Sequence, residues 1–207
     1  MSTSGARLDQ NQFEVLEFAM GVVPKNRYDG VAMIIHWLTA VLMIYMIFFG
    51  EDLMQEGEAI SKLPDPTGAT FQPSIHVSIG VAILLLTLLR IVWRFAHTAP
   101  PYPVSMKRYE VIGSKSLHGL FYILLIAIPL TGWLTFGRFS QGHQIMQQIQ
   151  VFGLFTLPQP PFAPSWGKEM HELGSNAAMV LIGLHVLAAL KHQFIDKDGI
   201  FGRMLPW

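Results

Sequence analysis

Eight histidines and no cysteine decide which chemistry is open to this chain. Without thiols there are no disulfides, no cysteine-held iron–sulfur clusters and no thioether-attached haem. Imidazole is then the metal-binding group left in quantity. His36, His76, His118, His171 and His185 stand at or inside the ends of long apolar stretches. An ionisable side chain there is costly and is a functional residue by default. His171 and His185 share one stretch. Fourteen residues at about 1.5 Å each set them about 21 Å apart along a helix. At about 100° per residue their side chains fall within about 40° of one face. Ser175, Ala178 and Ile182 lie between them on that face, and the first two are small enough to leave room for a flat macrocycle. Two ligands on one helix, each needing a counterpart at its own depth, predict two stacked sites.

The elements that must position these side chains are membrane helices. Hydrophobic residues make up 51% of the 207 and charged residues only 14%, a balance that belongs to the membrane class. A hydrocarbon core of about 30 Å needs roughly 20 apolar residues in a helix. Residues 30–50, 74–95, 116–137 and 168–194 qualify, and the alternating strands of a barrel are not seen. The fold class is therefore all-α, an integral membrane four-helix bundle. The segments before the first span, between the second and third, and after the fourth, taken with the adjoining helix ends, hold Arg7, Lys25, Arg27, Arg90, Arg94, Lys107, Arg108, Lys115, Lys191, Lys197 and Arg203. The other side has only Lys62, Arg138 and Lys168, against seven acids. The positive-inside rule makes both termini cytoplasmic. A formal net charge of zero gives no case for nucleic acid. The first residues lack the layout of a cleaved signal peptide, and residues 13–20 are expected to lie along the membrane surface. The connection 138–167 is Pro-rich, with a short amphipathic stretch at Ile145, Met146, Ile149 and Phe152, and is expected to cap the outer face.

Orientation converts position into depth. His76 and His171 fall near the outer side, His36 and His185 toward the cytoplasmic side, and His118 opens the third span at nearly the depth of His36. Spacing alone leaves His36 and His118 both open as partners of His185. A single histidine in a membrane helix is as often a hydrogen-bonded core residue or an interfacial anchor. Four matched in depth and face are hard to reach by coincidence. Zinc or di-iron would need three or four converging ligands, usually with carboxylates, and the spans offer almost none besides Glu172. Two imidazoles per level suit haem iron, and a six-coordinate iron favours electron transfer over oxygen activation. Arg90 and Arg94 could meet haem propionates through bidentate guanidinium pairing, or snorkel as cytoplasmic anchors. Gly80, one turn from His76, could admit a ring or simply pack against a helix. Pro129 is expected to kink the third helix. His192, beside Lys191, could donate a hydrogen bond or proton to a quinone head group. As an interfacial residue it would be equally ordinary. Trp37, Trp93, Trp133 and Trp166 fit the aromatic belt, and His97 and His143 read as loop residues.

Four runs, "RYDGVAMIIHWLTAVLM", "SIHVSIGVAILLLTLLRIVWRF" followed by "PP", "SLHGLFYILLIAIPLTGWL" and "GLHVLAALKHQFIDKDGIFGRMLP", resemble the prokaryotic cytochrome b561 family in order and spacing. The resemblance divides the chain into an N-terminal extension, 1–26, and a cytochrome domain, 27–207. It implies two haem b groups, the inner held by His36 and His185 and the outer by His76 and His171. His118, with Arg90 and Arg94, then becomes a propionate or supporting contact. It further implies electron transfer across the bacterial inner membrane between a periplasmic donor, superoxide among the candidates, and ubiquinone, in contact with membrane lipid. Superoxide is an anion and calls for an electropositive site, whereas the outer connections here carry more acids than bases. A haem-bearing anchor subunit of a multisubunit dehydrogenase or hydrogenase is the competing expectation, with the apolar outer loop 152–166 as its docking feature. A metal-ion carrier without haem is the third, and the scarcity of membrane carboxylates opposes it.

Overall fold

The computed structural model describes residues 26–142 and 144–205. Residues 1–25, with the expected surface segment 13–20, and His143 lie outside the described residues. Four long helices dominate: α1 (Gly30–Ser61), α2 (Phe71–Ala96), α3 (Arg108–Gly142) and α4 (Gly167–Lys191). Each is long and apolar enough to cross a bilayer. α1, α2 and α3 run up to or past the limits set by hydropathy, because backbone hydrogen bonding continues where apolar composition stops, whereas α4 gives way to a π turn after Lys191. The Asp29 side chain caps α1 by accepting from the Ala32 N–H at 2.9 Å. The helix continues beyond the apolar stretch into acidic residues 51–58 and ends before Pro64 and Pro66. Pro73 sits in the first turn of α2, where its missing N–H costs nothing. Pro129 lies inside α3, which runs on through it.

The helices form two antiparallel hairpins, α1 with α2 and α3 with α4, joined mainly along α2 and α3. Large apolar side chains such as Ile34, Val41, Phe48, Leu85, Val92, Ile123 and Leu187 remain exposed on the outside. On a soluble protein these would be unsatisfied faces; here they meet lipid. Close helix approach depends on small residues. A Cβ on Gly57 would lie 2.2 Å from Pro73 Cγ, so only glycine lets the end of α1 sit on the start of α2.

The two ends of the bundle are built differently. At the end termed inner, the chain's C-terminal segment folds back on the start of α1. Trp37 Nε1–H donates to the Met204 carbonyl at 2.7 Å, the Tyr28 N–H to the Arg203 carbonyl at 3.2 Å, and Arg27 to the Leu205 carbonyl. Trp93 Nε1–H donates to Asp29 at 3.0 Å, and Arg203 to the Pro101 carbonyl of the α2–α3 loop. Two tryptophans read as belt residues thus also latch the inner end. At the outer end the 138–167 connection folds into a cap. A 3₁₀ turn (Gln144–Gln148) leads into a two-residue antiparallel pair, β1 (Gln150–Val151) and β2 (Phe155–Thr156). Met146, Ile149, Val151 and Leu157 bury against Ala69 and Phe136. The cap expected over this face is present, with one difference. Phe152 belongs to the hairpin turn at φ 53 and is exposed rather than buried with Ile149. Ser74 and Ser78 of α2 accept from the Gln150 and Phe152 N–H groups at 2.9 and 2.7 Å, which pins the hairpin to the bundle.

Candidate functional site

Five imidazoles gather at two levels between the hairpins. Toward the outer end, His76 of α2 faces His171 of α4 with ring centroids 6.1 Å apart. Toward the inner end, His36 of α1 faces His185 of α4 at 6.3 Å. One helix therefore presents both of its histidines inward, each to a ring from a different helix. Between them, Ser175 Oγ–H donates to the His171 carbonyl at 2.8 Å, and Ala178 is buried.

The outer pair is oriented by backbone. A carbonyl can only accept, so His76 Nδ1–H donates to Gly50 of α1 at 2.7 Å and His171 Nδ1–H to Ile128 of α3 at 2.8 Å. Each ring keeps Nε2 for another partner. Gly132 makes room for one of them. A Cβ there would stand 2.9 Å from both Cε1 and Nδ1 of His171, closer than real contacts allow. Gly80 faces open space, with nothing within 4 Å of a Cβ added there.

The inner level is more crowded. His185 also meets His118 at 5.5 Å and the edge of Phe121 at 5.6 Å. His118 Nδ1–H donates to its own helix at the Ser114 carbonyl, 2.6 Å away. Arg90 Nη1–H donates to His36 Nδ1 at 3.0 Å, which brings a guanidinium to this level as its spacing from His76 requires. Arg94, a turn further, is exposed. His36, His76, His171 and His185 are half-buried, whereas His118 is exposed. Below His185, a π turn (His192–Asp196) ends α4. Here Lys191 Nζ–H donates to Glu110 at 2.8 Å and Asp196 at 2.5 Å, and His192 Nδ1 lies 2.7 Å from Asp198 Oδ2.

Comparison with known proteins gives this arrangement a family. The model of the prokaryotic cytochrome b561 family matches residues 27–207. The chain belongs to that family. It is similar to Cytochrome b561 homolog 2 of Escherichia coli, 30% identical over 190 residues that cover 87% of this chain and 92% of that protein. Cytochrome b562 of Cereibacter sphaeroides is 29% identical over 178 residues, 86% of this chain and 94% of its own. Probable superoxide oxidase CybB of Yersinia pestis is 29% identical over 192 residues, 87% and 97% respectively. As a prokaryotic cytochrome b561 the chain is a multi-pass bacterial membrane protein of electron transport, with haem b as its cofactor.

The residues fit that cofactor. Two metal–imidazole bonds of about 2 Å each, with the ring centres lying beyond the bonding nitrogens, put facing centroids about 6 Å apart. The observed 6.1 and 6.3 Å match this span, and the His118–His185 distance of 5.5 Å falls short of it. Backbone acceptors on His76 and His171 are the usual outer partners of a metal-bound imidazole. Sequence reasoning missed those two carbonyls, Gly132, and the Glu110, Asp196 and Asp198 partners of Lys191 and His192. The glycine offered only its small size inside a membrane span. Carbonyls offered no signal, since every residue has one.

Proposed function

We propose that this protein is a di-haem b-type cytochrome of the bacterial inner membrane, passing electrons between a periplasmic donor and the ubiquinone pool. His76 and His171 hold the outer haem, His36 and His185 the inner one. The observation that carries this reading is the pair of ring contacts on α4, fourteen residues apart and each about the span of two metal–imidazole bonds. Haem b held there would supply a one-electron couple. The protein's own part is to hold and orient. Gly50 and Ile128 set the outer rings through their carbonyls. Arg90 and Arg94, with His118 beside them, offer cationic and imidazole groups to the inner propionates. Lys191 and His192 form the quinone end. Basic residues concentrate on the side of both termini, which makes that side cytoplasmic.

Superoxide is the donor named for one relative. The outer end of this chain is acidic, with Glu51, Asp52, Glu56, Glu58 and Asp65 nearby, and its Lys62 and Lys168 pair with Glu58 and Glu172. An anion is a poor match for that field. A second reading, a haem-bearing anchor subunit of a larger dehydrogenase or hydrogenase, draws on the exposed apolar cap residues Phe152, Leu154, Phe155, Phe162 and Trp166.

The test is purification followed by spectra of air-oxidised and dithionite-reduced protein, haem quantification, and mixing with a quinol analogue. The expected result is about two haems per chain, reducible by quinol without another subunit. His171→Ala and His185→Ala should each leave about half the haem. Absence of a Soret band, or full haem content in both variants, overturns the ligand assignment. Reduction only when a hydrophilic subunit copurifies favours the anchor reading.

A further inference from the structure

We propose that Asp198 is a positioning residue for His192, holding the ring so that Nδ1 keeps its proton and Nε2 is the atom that serves the quinone oxygen. The inference deepens the quinone reading above and rests on it. His192 lies seven residues beyond His185, at the inner end of α4. It is only 9% exposed, and the Asp198 side chain only 5%. A burial this deep is unusual for an interfacial anchor, whose ring should reach water.

The turn after α4 exists to bring Asp198 back. Lys197 adopts the left-handed region at φ 52 and Gly199 follows at φ 77. Asp198 Oδ1 then accepts from the Ile200 N–H at 3.1 Å, while Oδ2 stands 2.7 Å from His192 Nδ1. With both oxygens committed, the carboxylate cannot rotate away. The other charged groups facing His192 are already paired. Asp196 Oδ2 is 3.1 Å from Nδ1 but takes the Lys191 ammonium at 2.5 Å, and the same ammonium ties Glu110 of α3. His192, Asp196 and Asp198 have ligand atoms within 4.8 Å of one another, as a cation site would. Of the three, Asp196 carries the Lys191 ammonium.

An ionised carboxylate only accepts, so the ring proton resides on Nδ1 and Nε2 is left for exchange. A carboxylate that fixes an imidazole tautomer in this way is the arrangement that makes histidine an effective proton donor. Quinone takes up two electrons, supplied by two one-electron oxidations of the outer donor, and two protons. In each proton step the Nε2–H bond of the imidazolium breaks and an O–H bond forms on the quinone oxygen. Nε2 then recovers a proton from water on the inner side.

Asp198→Asn separates position from fold. The amide keeps an oxygen for the Ile200 turn but can offer an N–H to Nδ1, which turns the tautomer over. In full-length holoprotein, with the haems kept reduced by a one-electron donor in excess and decylubiquinone as acceptor across a pH series, kcat should fall about 100-fold. KM should change less, the haem spectrum should stay as in the wild type, and the pH above which the rate declines should move down. Asp198→Glu should recover part of the rate. An Asp198→Asn protein with wild-type kcat and pH profile overturns the inference. So does a rate loss that tracks haem loss or KM while the pH profile stays in place. If decylubiquinone fails to reoxidise even the wild-type haems, the quinone reading itself has failed, a distinct result.

Discussion

Replacing Gly132 by alanine is the sharpest probe of the outer site, since it removes neither a proposed ligand nor a charged group. The added Cβ would sit 2.9 Å from His171 Cε1 and Nδ1, where ordinary contact begins at 3.4 Å. The imidazole must therefore move by about half an ångström, because interiors are packed too closely to absorb the overlap elsewhere. That displacement acts on the ring's 2.8 Å hydrogen bond to Ile128 as well as on its facing distance to His76. Disturbing the orienting partner of a metal-bound histidine costs about 10–100-fold in affinity. Gly132→Ala should accordingly lose outer haem on purification, carrying total haem from about two per chain toward one. Low-spin haem resonances should show the loss falling on one centre. Gly113→Ala on the same helix is the control, because nothing lies within 4 Å of a Cβ there. Full haem content with both resonances unchanged in Gly132→Ala would refute the claim that His171 is held in a metal-binding pose by that packing.

The two candidates for the partner of His185 separate cleanly. His36→Ala should lose about half the haem, whereas His118→Ala should keep both haems and alter only the inner midpoint potential; a potentiometric titration with haem quantification reads both, and the reverse pattern would exchange their roles. The latch at the inner end is testable without haem chemistry. Trp37→Phe removes the donor to the Met204 carbonyl, a bond worth about 1 kcal/mol, so limited proteolysis should cut the C-terminal segment several-fold faster while the spans stay intact. Equal cleavage rates would show that the tail is held by its other contacts.

Much of this protein is legible in its residue order. Four apolar runs of membrane-spanning length allow only helices, because a backbone in hydrocarbon must satisfy its own hydrogen bonds. The histidines of α4 share a face because helical geometry makes fourteen residues nearly four whole turns. Both follow from local periodicity, which depends on neighbours in the chain alone. What lay beyond such reasoning depends on pairs distant in sequence. The spacing of His36 and His118 is equivalent in depth, and only the bundle's packing sets one at 6.3 Å and the other at 5.5 Å from His185. The carbonyls of Gly50 and Ile128 acquire their role from the helix that packs against them, not from their own side chains. Asp198 and Glu110 look like ordinary surface acids until the chain reversal after α4 and the approach of α3 bring them to His192 and Lys191. Helix periodicity sets direction and depth along one axis; distances across axes come only from how the helices pack.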